Sequence, residues 1–243
     1  DVSAKDATQK VMIKVEGLYC PFCSYGLEKQ VKKIEGFKSV QIEFDFSDIM
    51  ERVQRVIKTV ETHDSVERYS SLGVECYTGE AKIISPYEVS VNNKILTTRN
   101  IIIGTGARPY VPPIEGLEKI DYLTSDTVWN IREKPERLLV LGGGPIGSEL
   151  AQAFARLGCK VTQVELGKTL LPREDYEVSQ IILDSFRQDG INVLLEHNLK
   201  KFFKRDGKNF AEFQSQGQIV EIGFDKIIIA IGRKANTTGF GLE

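Results

Sequence analysis

Two groups of residues have the types and spacing for chemistry. Gly142, Gly144 and Gly147 fit G-x-G-x-x-G, and Glu165 lies 18 residues beyond the third glycine. Such a turn at a helix start lets backbone N–H groups approach a phosphate, where the helix dipole favours an anion. The first glycine permits the tight turn, the second removes a side chain where a pyrophosphate must pass, and the third lets helix and strand pack closely. A carboxylate at Glu165 can accept hydrogen bonds from an adenosine ribose, and it disfavours a 2′-phosphate. Lys168 and Arg173, close by, weaken that preference, so NADH is expected ahead of NADPH. The second group is Cys20 and Cys23, a C-x-x-C pair. Two thiolates on a loop at a helix N-terminus have lowered pKa values and suit soft, low-coordinate metals such as Hg(II) or Cu(I).

The glycine motif alone is weak, because a non-binding glycine-rich turn looks the same. Its flanks supply the context. Leu138 to Leu141 form a continuous apolar run, as in a strand buried on both faces. Ile146, Leu150, Phe154 and Leu157 recur at helical spacing and mark one buried face. Val161 and Val164 carry a second strand that ends at Glu165.

The cysteine pair sits in a β–loop–α–β pattern. Val11, Ile13 and Val15 alternate with polar residues; Gly17 to Cys23 is a loop. Leu27, Val31 and Ile34 fall on one face of a helix over 24–34, and Val40, Ile42 and Phe44 alternate as a strand. A redox dithiol or incidental cysteines remain alternatives to metal capture at this stage.

Elsewhere, Ile49, Val53, Val56, Ile57 and Val60 keep helical spacing, with Asp45 or Ser47 able to cap. Residues 73–98 read as short antiparallel strands, including Val74, with Asn92-Asn93 as a hairpin turn. Ile101, Ile102 and Ile103 read as a buried strand before a glycine turn and a proline-rich linker. Residues 176–188 read as a helix with Val178, Ile181, Ile182 and Phe186 along it. Ile191–Leu195 is a strand, 199–224 a hairpin layer, and Lys226–Ile231 a further buried strand. Cys76 is expected inside a strand and Cys159 in packed core, as small buried hydrophobes. His63 and His197 are expected to be surface residues without a role.

Composition limits the rest. The chain has 243 residues, 41% hydrophobic and 27% charged, with net charge −2 and mixed signs. This is an ordinary globular balance with no footprint for nucleic acid or an anionic membrane. No apolar run reaches the ~18 residues of a transmembrane helix. The first ten residues lack a signal-peptide layout and read as a disordered lead or trimmed start; a cytoplasmic location is expected.

With these motifs in order, the chain over 45–243 resembles the flavin-dependent pyridine nucleotide-disulfide oxidoreductases. The matching pieces are IIIGTGARP (101–109), LGGGPIGSELA (141–151), LLPRED (170–175) and IIIAIGRKANT (227–237). The resemblance implies an FAD domain surrounding an inserted NAD(P)H domain. It assigns Thr105, Gly106, Ala107 and Arg108 to a flavin-contacting turn. Gly142, Gly144, Pro145, Ile146 and Gly147 go to the nucleotide turn, Glu149 to a place near the nicotinamide, and Gly232 and Arg233 to the strand returning to the flavin domain. Ala235 departs from the pattern, which usually has proline there.

Residues 10–44 resemble a heavy-metal-associated domain, of ferredoxin-like βαββαβ fold, whose loop G-x-x-C-x-x-C is matched by Gly17, Cys20 and Cys23. A metal-capture module before a flavin core resembles the mercuric reductase layout, with dihydrolipoamide dehydrogenase as the near relative. The resemblance implies FAD, NAD(P)H, a soft metal as substrate or cargo, and a homodimer. The expected fold class is α/β. It comprises a partial metal module (10–44), a partial FAD segment (45–122), a Rossmann-like NAD(P)H domain (123–236) and a return to the FAD domain (237–243). The family's first flavin-binding G-x-G-x-x-G and its redox-active C-x-x-x-x-C have no counterpart in the chain, which suggests a fragment. Were the chain complete, a non-catalytic metal- or nucleotide-binding protein would be the reading.

Overall fold

The computed structural model describes residues 29–35 and 45–242. By its contacts the chain divides into two units, Asp1–Phe44 and Asp45–Glu243. In the first, residues 29–31 are helical and run into a turn, where Lys33 Nζ donates to Gln30 Oε1 at 3.0 Å. Ile34, expected on the buried face, is 62% exposed because it falls in the bend after the helix. The strands over 11–15 and 40–44, the loop with Gly17, and both Cys20 and Cys23 lie outside the described residues.

The second unit begins with α1 (Phe46–Glu61). Asp45, not Ser47, caps it, its carboxylate accepting from the N–H groups of Ser47 and Asp48 at 2.8 and 3.2 Å. Such a cap satisfies first-turn donors that lack helical partners. A short helix, α2 (Val66–Ser71), follows with Ser65 as its cap. Three antiparallel strands, β1 (Ala81–Ser85), β2 (Glu88–Val91) and β3 (Lys94–Thr97), make a small sheet. Asn92 and Asn93 turn β2 into β3 with φ of 49° and 66°, the left-handed pair that a two-residue hairpin requires. Val74 and Cys76 precede this sheet in irregular backbone, and Cys76 is half-buried rather than interior to a strand.

The centre of the unit is a parallel sheet. Its members are β5 (Tyr122–Leu123), β6 (Arg137–Leu141), β7 (Lys160–Val164), β8 (Asn192–Leu194) and β12 (Lys226–Ile229), ordered β5-β12-β6-β7-β8. Both faces are covered, which explains the unbroken apolar runs. Leu138, Val140 and Ile228 pack under the helices α3 (Pro145–Arg156) and α4 (Tyr176–Gln188), with Phe154, Leu183 and Phe186. Leu139, Leu141, Ile227 and Ile229 pack on the opposite side against Phe202, Phe213 and Phe224. Those aromatics come from an antiparallel meander, β9 (Asn198–Arg205), β10 (Lys208–Ser215) and β11 (Gln218–Phe224), the expected hairpin layer. Each fully buried aliphatic side chain of this sheet contributes about 1.5–3 kcal/mol. Phe46 and Met50 bring α1 into the helix-side core, the Phe46 and Phe154 rings lying 6.1 Å apart.

Two expectations are corrected here. Ile101–Ile103 form no strand, and Ile102 is 94% exposed. The run has strand composition, but no described strand pairs with it. In α4 the inward residues are Ser179, Leu183 and Phe186, with Ile182 half-buried; Ile181 is 68% exposed. The helix is rotated so that Ser179 Oγ can donate to the Leu170 carbonyl at 2.6 Å. Finally, β4 (Ala107–Pro109) pairs antiparallel with β13 (Arg233–Ala235). Among the described residues no helix is long and apolar enough to cross a membrane.

Candidate nucleotide-binding cleft

The carboxyl ends of the parallel strands open onto one cleft of about 1010 Å³. In open α/β sheets that edge is where ligands bind, at the point where the strand order reverses, here at β6. Gly142, Gly143, Gly144, Pro145 and Ile146 line its middle, Glu165 and His197 the β7–β8 side, and Ser125, Gly232 and Arg233 the β5–β12 side.

The three motif glycines have distinct surroundings. Gly142 adopts φ of 114°, and a Cβ there would lie 2.4 Å from the Ala230 carbonyl oxygen. A Cβ on Gly147 would lie 2.2 Å from the Gly142 carbonyl oxygen, so helix and strand meet only because that atom is absent. Around Gly144 a Cβ would meet nothing within 4 Å. Gly144 is the N-cap of α3, no side chain caps that terminus, and Pro145 follows at the first helical position. An open space faces uncapped helix N–H groups, the arrangement suited to a phosphate. The residues present fit a dinucleotide.

Glu165, half-buried, holds the turn directly. Its two oxygens accept from the N–H of Gly143 and the N–H of Gly167, each at 2.6 Å. An ionised carboxylate has about four acceptor positions, so sites remain for ribose hydroxyls. Gly143 was not distinguished by the motif, yet a Cβ there would come within 2.9 Å of Glu165 and Leu170. Its carbonyl accepts from the Leu171 N–H at 2.8 Å, which fastens the LLPRED loop over the turn. Arg173 of that loop lines the cleft, whereas Lys168 does not.

His197, expected to be without a role, lines the cleft beside Glu165. Its backbone N–H donates to the Glu165 carbonyl at 3.1 Å and its Nδ1 lies 2.6 Å from the Leu195 carbonyl. No local sequence signal marks it, because it enters the site through the adjacency of β7 and β8. Glu149 is exposed on α3 outside the cleft lining. Cys159 is buried as expected, and burial pushes its thiol up to about 11.

Thr105, Gly106 and Arg108 also lie outside the cleft lining but are joined to the returning strand. Asn236 donates from its backbone N–H to the Gly106 carbonyl at 3.0 Å, and Arg108 donates to Asn236 Oδ1 at 2.8 Å. Beside them Ile102 and Ile103 face outward. A flavin touching this turn would be open to solvent on most sides; the described residues do not by themselves enclose one. Among the described residues no group of three or more His, Cys, Asp or Glu could hold a metal ion.

Parallel strands, a helix packed through Gly147 and an open N-terminus define a Rossmann-like α/β fold. The chain belongs to the pyridine nucleotide-disulphide oxidoreductase family, whose sequence profile matches residues 4–243; its members are flavin-dependent oxidoreductases that use FAD and NAD(P)H. It is 32% identical over 202 residues to a mercuric reductase of Staphylococcus aureus, covering 82% of this chain and 36% of that protein. It is 34% identical over 212 residues to a dihydrolipoyl dehydrogenase of Acholeplasma laidlawii, covering 84% of this chain and 62% of that one. A similar solved structure is the HOCl-induced flavoprotein disulfide reductase RclA of Escherichia coli. That match has a TM-score of 0.70 at 28% identity and covers 82% of this chain and 45% of that one. The chain thus spans only about a third to two thirds of these relatives.

Proposed function

We propose that this chain is the pyridine-nucleotide-binding part of an FAD-dependent oxidoreductase of the mercuric reductase type. The observation that carries this reading is the open space at Gly144 against the uncapped start of α3, with Glu165 at the edge of the same cleft. The first-turn N–H groups would hold the pyrophosphate, Glu165 the adenosine ribose, and Gly142 and Gly147 the shape of the turn. The side chain of Ile146 would border the ligand, and Glu149 would stand toward its nicotinamide end. Bound NADH supplies a hydride; the chain's own residues bind, orient and shelter the nucleotide. Like charge at Glu165 makes NADH the better ligand than NADPH.

The relatives named mercuric reductase support the finer reading. In it Cys20 and Cys23 capture Hg(II) or Cu(I), Thr105, Gly106, Arg108 and Gly232 belong to an FAD site completed by further chain, and the whole protein is a cytoplasmic homodimer. The dihydrolipoyl dehydrogenase match favours a second reading, a disulfide reductase whose N-terminal cysteines are incidental.

NADH fluorescence titration, with and without added FAD, tests the first reading. Saturable binding to wild-type chain that is lost in Gly144→Val is expected; no NADH binding overturns it. Equilibrium dialysis with Hg(II) then separates the finer readings. With Cys76→Ser made in both proteins, uptake abolished by C20S/C23S supports metal capture, and equal uptake with and without those two changes supports the disulfide reductase.

A further inference from the structure

Gln163 lies on β7 with its side chain fully buried, 0% exposed. Its Nε2 donates to the Gly142 carbonyl at 3.0 Å and to Ser148 Oγ at 3.3 Å. Its Oε1 has no hydrogen-bond partner among the described residues. An unpaired buried amide oxygen is destabilising, and an apolar side chain at this core position would avoid that cost. What the amide supplies instead is a grip on the glycine turn. Glu165, two residues on, accepts the Gly143 N–H at 2.6 Å. The Gly142 carbonyl and Gly143 N–H belong to one peptide unit and point in opposite directions. Gln163 and Glu165 therefore hold the two ends of the same peptide, at a place where φ of 114° and the missing side chains leave the backbone free to rotate.

We propose that Gln163 is a positioning residue for the pyrophosphate of a bound dinucleotide. It turns the Gly142 carbonyl down toward Gly147 and Ser148 and away from the cleft, so that no backbone acceptor faces the phosphate. The Gly143 N–H at the other end of that peptide stays on Glu165, so the peptide is held at both ends. Ser148 completes the linkage, its Oγ donating to the Gly143 carbonyl at 3.4 Å. The inference rests on the nucleotide reading above.

The test compares wild-type chain with Gln163→Met, which keeps the volume and removes the donor. ADP-ribose and NADH share the pyrophosphate, and both should bind about tenfold more weakly to the variant, in which nothing turns the Gly142 carbonyl from the phosphate. Adenosine, without phosphate, should bind both proteins equally. The melting temperature should change little, because the orphaned Oε1 is removed while the Gly142 carbonyl and Ser148 Oγ lose their donor. Unchanged ADP-ribose affinity overturns the inference, as does a parallel loss for adenosine with a fall in melting temperature, which marks a merely structural role. Wild-type chain that binds no ADP-ribose overturns the nucleotide reading together with this one. A measurement on wild type needs no variant: the Gln163 side-chain amide protons should exchange slowly and shift on ADP-ribose addition. Fast exchange with no shift overturns the clamp.

Discussion

Thr105 and Asn236 hold each other across 131 positions of sequence. Thr105 Oγ1 donates to the Asn236 carbonyl at 2.6 Å, and Asn236 Nδ2 returns a bond to the Thr105 carbonyl at 2.9 Å. Together with β4 and β13 they tie the entry of the parallel-sheet domain to its exit. Asn236→Ala removes this Nδ2 bond and the one from Arg108, and should cost about 1 kcal/mol in these exposed surroundings. Limited trypsin digestion should then cut faster at Arg99 and Lys234; an unchanged cleavage pattern would show that the strand pairing suffices.

Gly144 and Gly147 separate binding from stability. Gly147→Ala places a methyl 2.2 Å from the Gly142 carbonyl oxygen and should destabilise by about 1–3 kcal/mol. Gly144→Ala meets nothing in the protein and should unfold as wild type does, while its NADH dissociation constant rises at least about tenfold where the methyl meets phosphate. Calorimetry and titration on both variants check this, and equal melting losses would contradict it.

Much of this domain was legible because its signals are local. Leu138–Leu141, Ile146, Leu150 and Phe154, and the positive-φ asparagines at 92–93 follow from short-range pattern, and the structure carries them as read. Ile101–Ile103 misled for a physical reason: an apolar β-branched run states a preference for a strand, but a strand exists only where a partner pairs with it. Gln163 was hidden in the opposite way. Nothing in VTQVE distinguishes a clamping amide from a solvated one, since its value depends on a peptide 21 residues earlier. His197 and Gly143 were likewise set by neighbours across the sheet.

Arg137 and Asp225 make the pH-dependent contact of the core edge. The guanidinium donates to Asp225 Oδ1 at 2.6 Å, the Arg137 backbone N–H donates to Oδ2, and this pairing holds the Asp225 carboxyl below its ordinary value of 3.8. A lowered carboxylate stabilises the fold above the unfolded value and loses that contribution as pH falls through the folded one. Both side chains are more than a third exposed, so solvent screening reduces the pair to about 1 kcal/mol. Asp225→Asn should be less stable than wild type by that amount at neutral pH in urea unfolding, and the gap should close as pH falls below 3.8.

Cys159 and Cys76 should differ sharply as nucleophiles. Only a thiolate reacts, and burial holds the Cys159 pKa at about 11. With iodoacetamide at neutral pH, peptide mass spectrometry should find Cys76 labelled in native protein and Cys159 labelled only after unfolding. Rapid native labelling of Cys159 would mean that the contact between α3 and β7 opens.

Glu165 should set the choice between the two nicotinamide nucleotides. Its carboxylate is fastened by two backbone N–H groups, so it cannot swing away from a 2′-phosphate without releasing the glycine turn. Charge repulsion and lost ribose hydrogen bonds then act in the same direction, against NADPH. Glu165→Gln removes the charge and keeps an acceptor for only one of the two N–H groups, so both nucleotides should bind more weakly through the loosened turn but NADPH should gain relative to NADH, narrowing the ratio of dissociation constants about tenfold. Arg173, on the same cleft, becomes the favourable contact for the extra phosphate once the acid is neutral. The double variant E165Q/R173A should accordingly lose the relative gain for NADPH while keeping the NADH value of E165Q. If E165Q leaves the ratio unchanged, the acid does not discriminate, and the selectivity lies in the LLPRED loop alone.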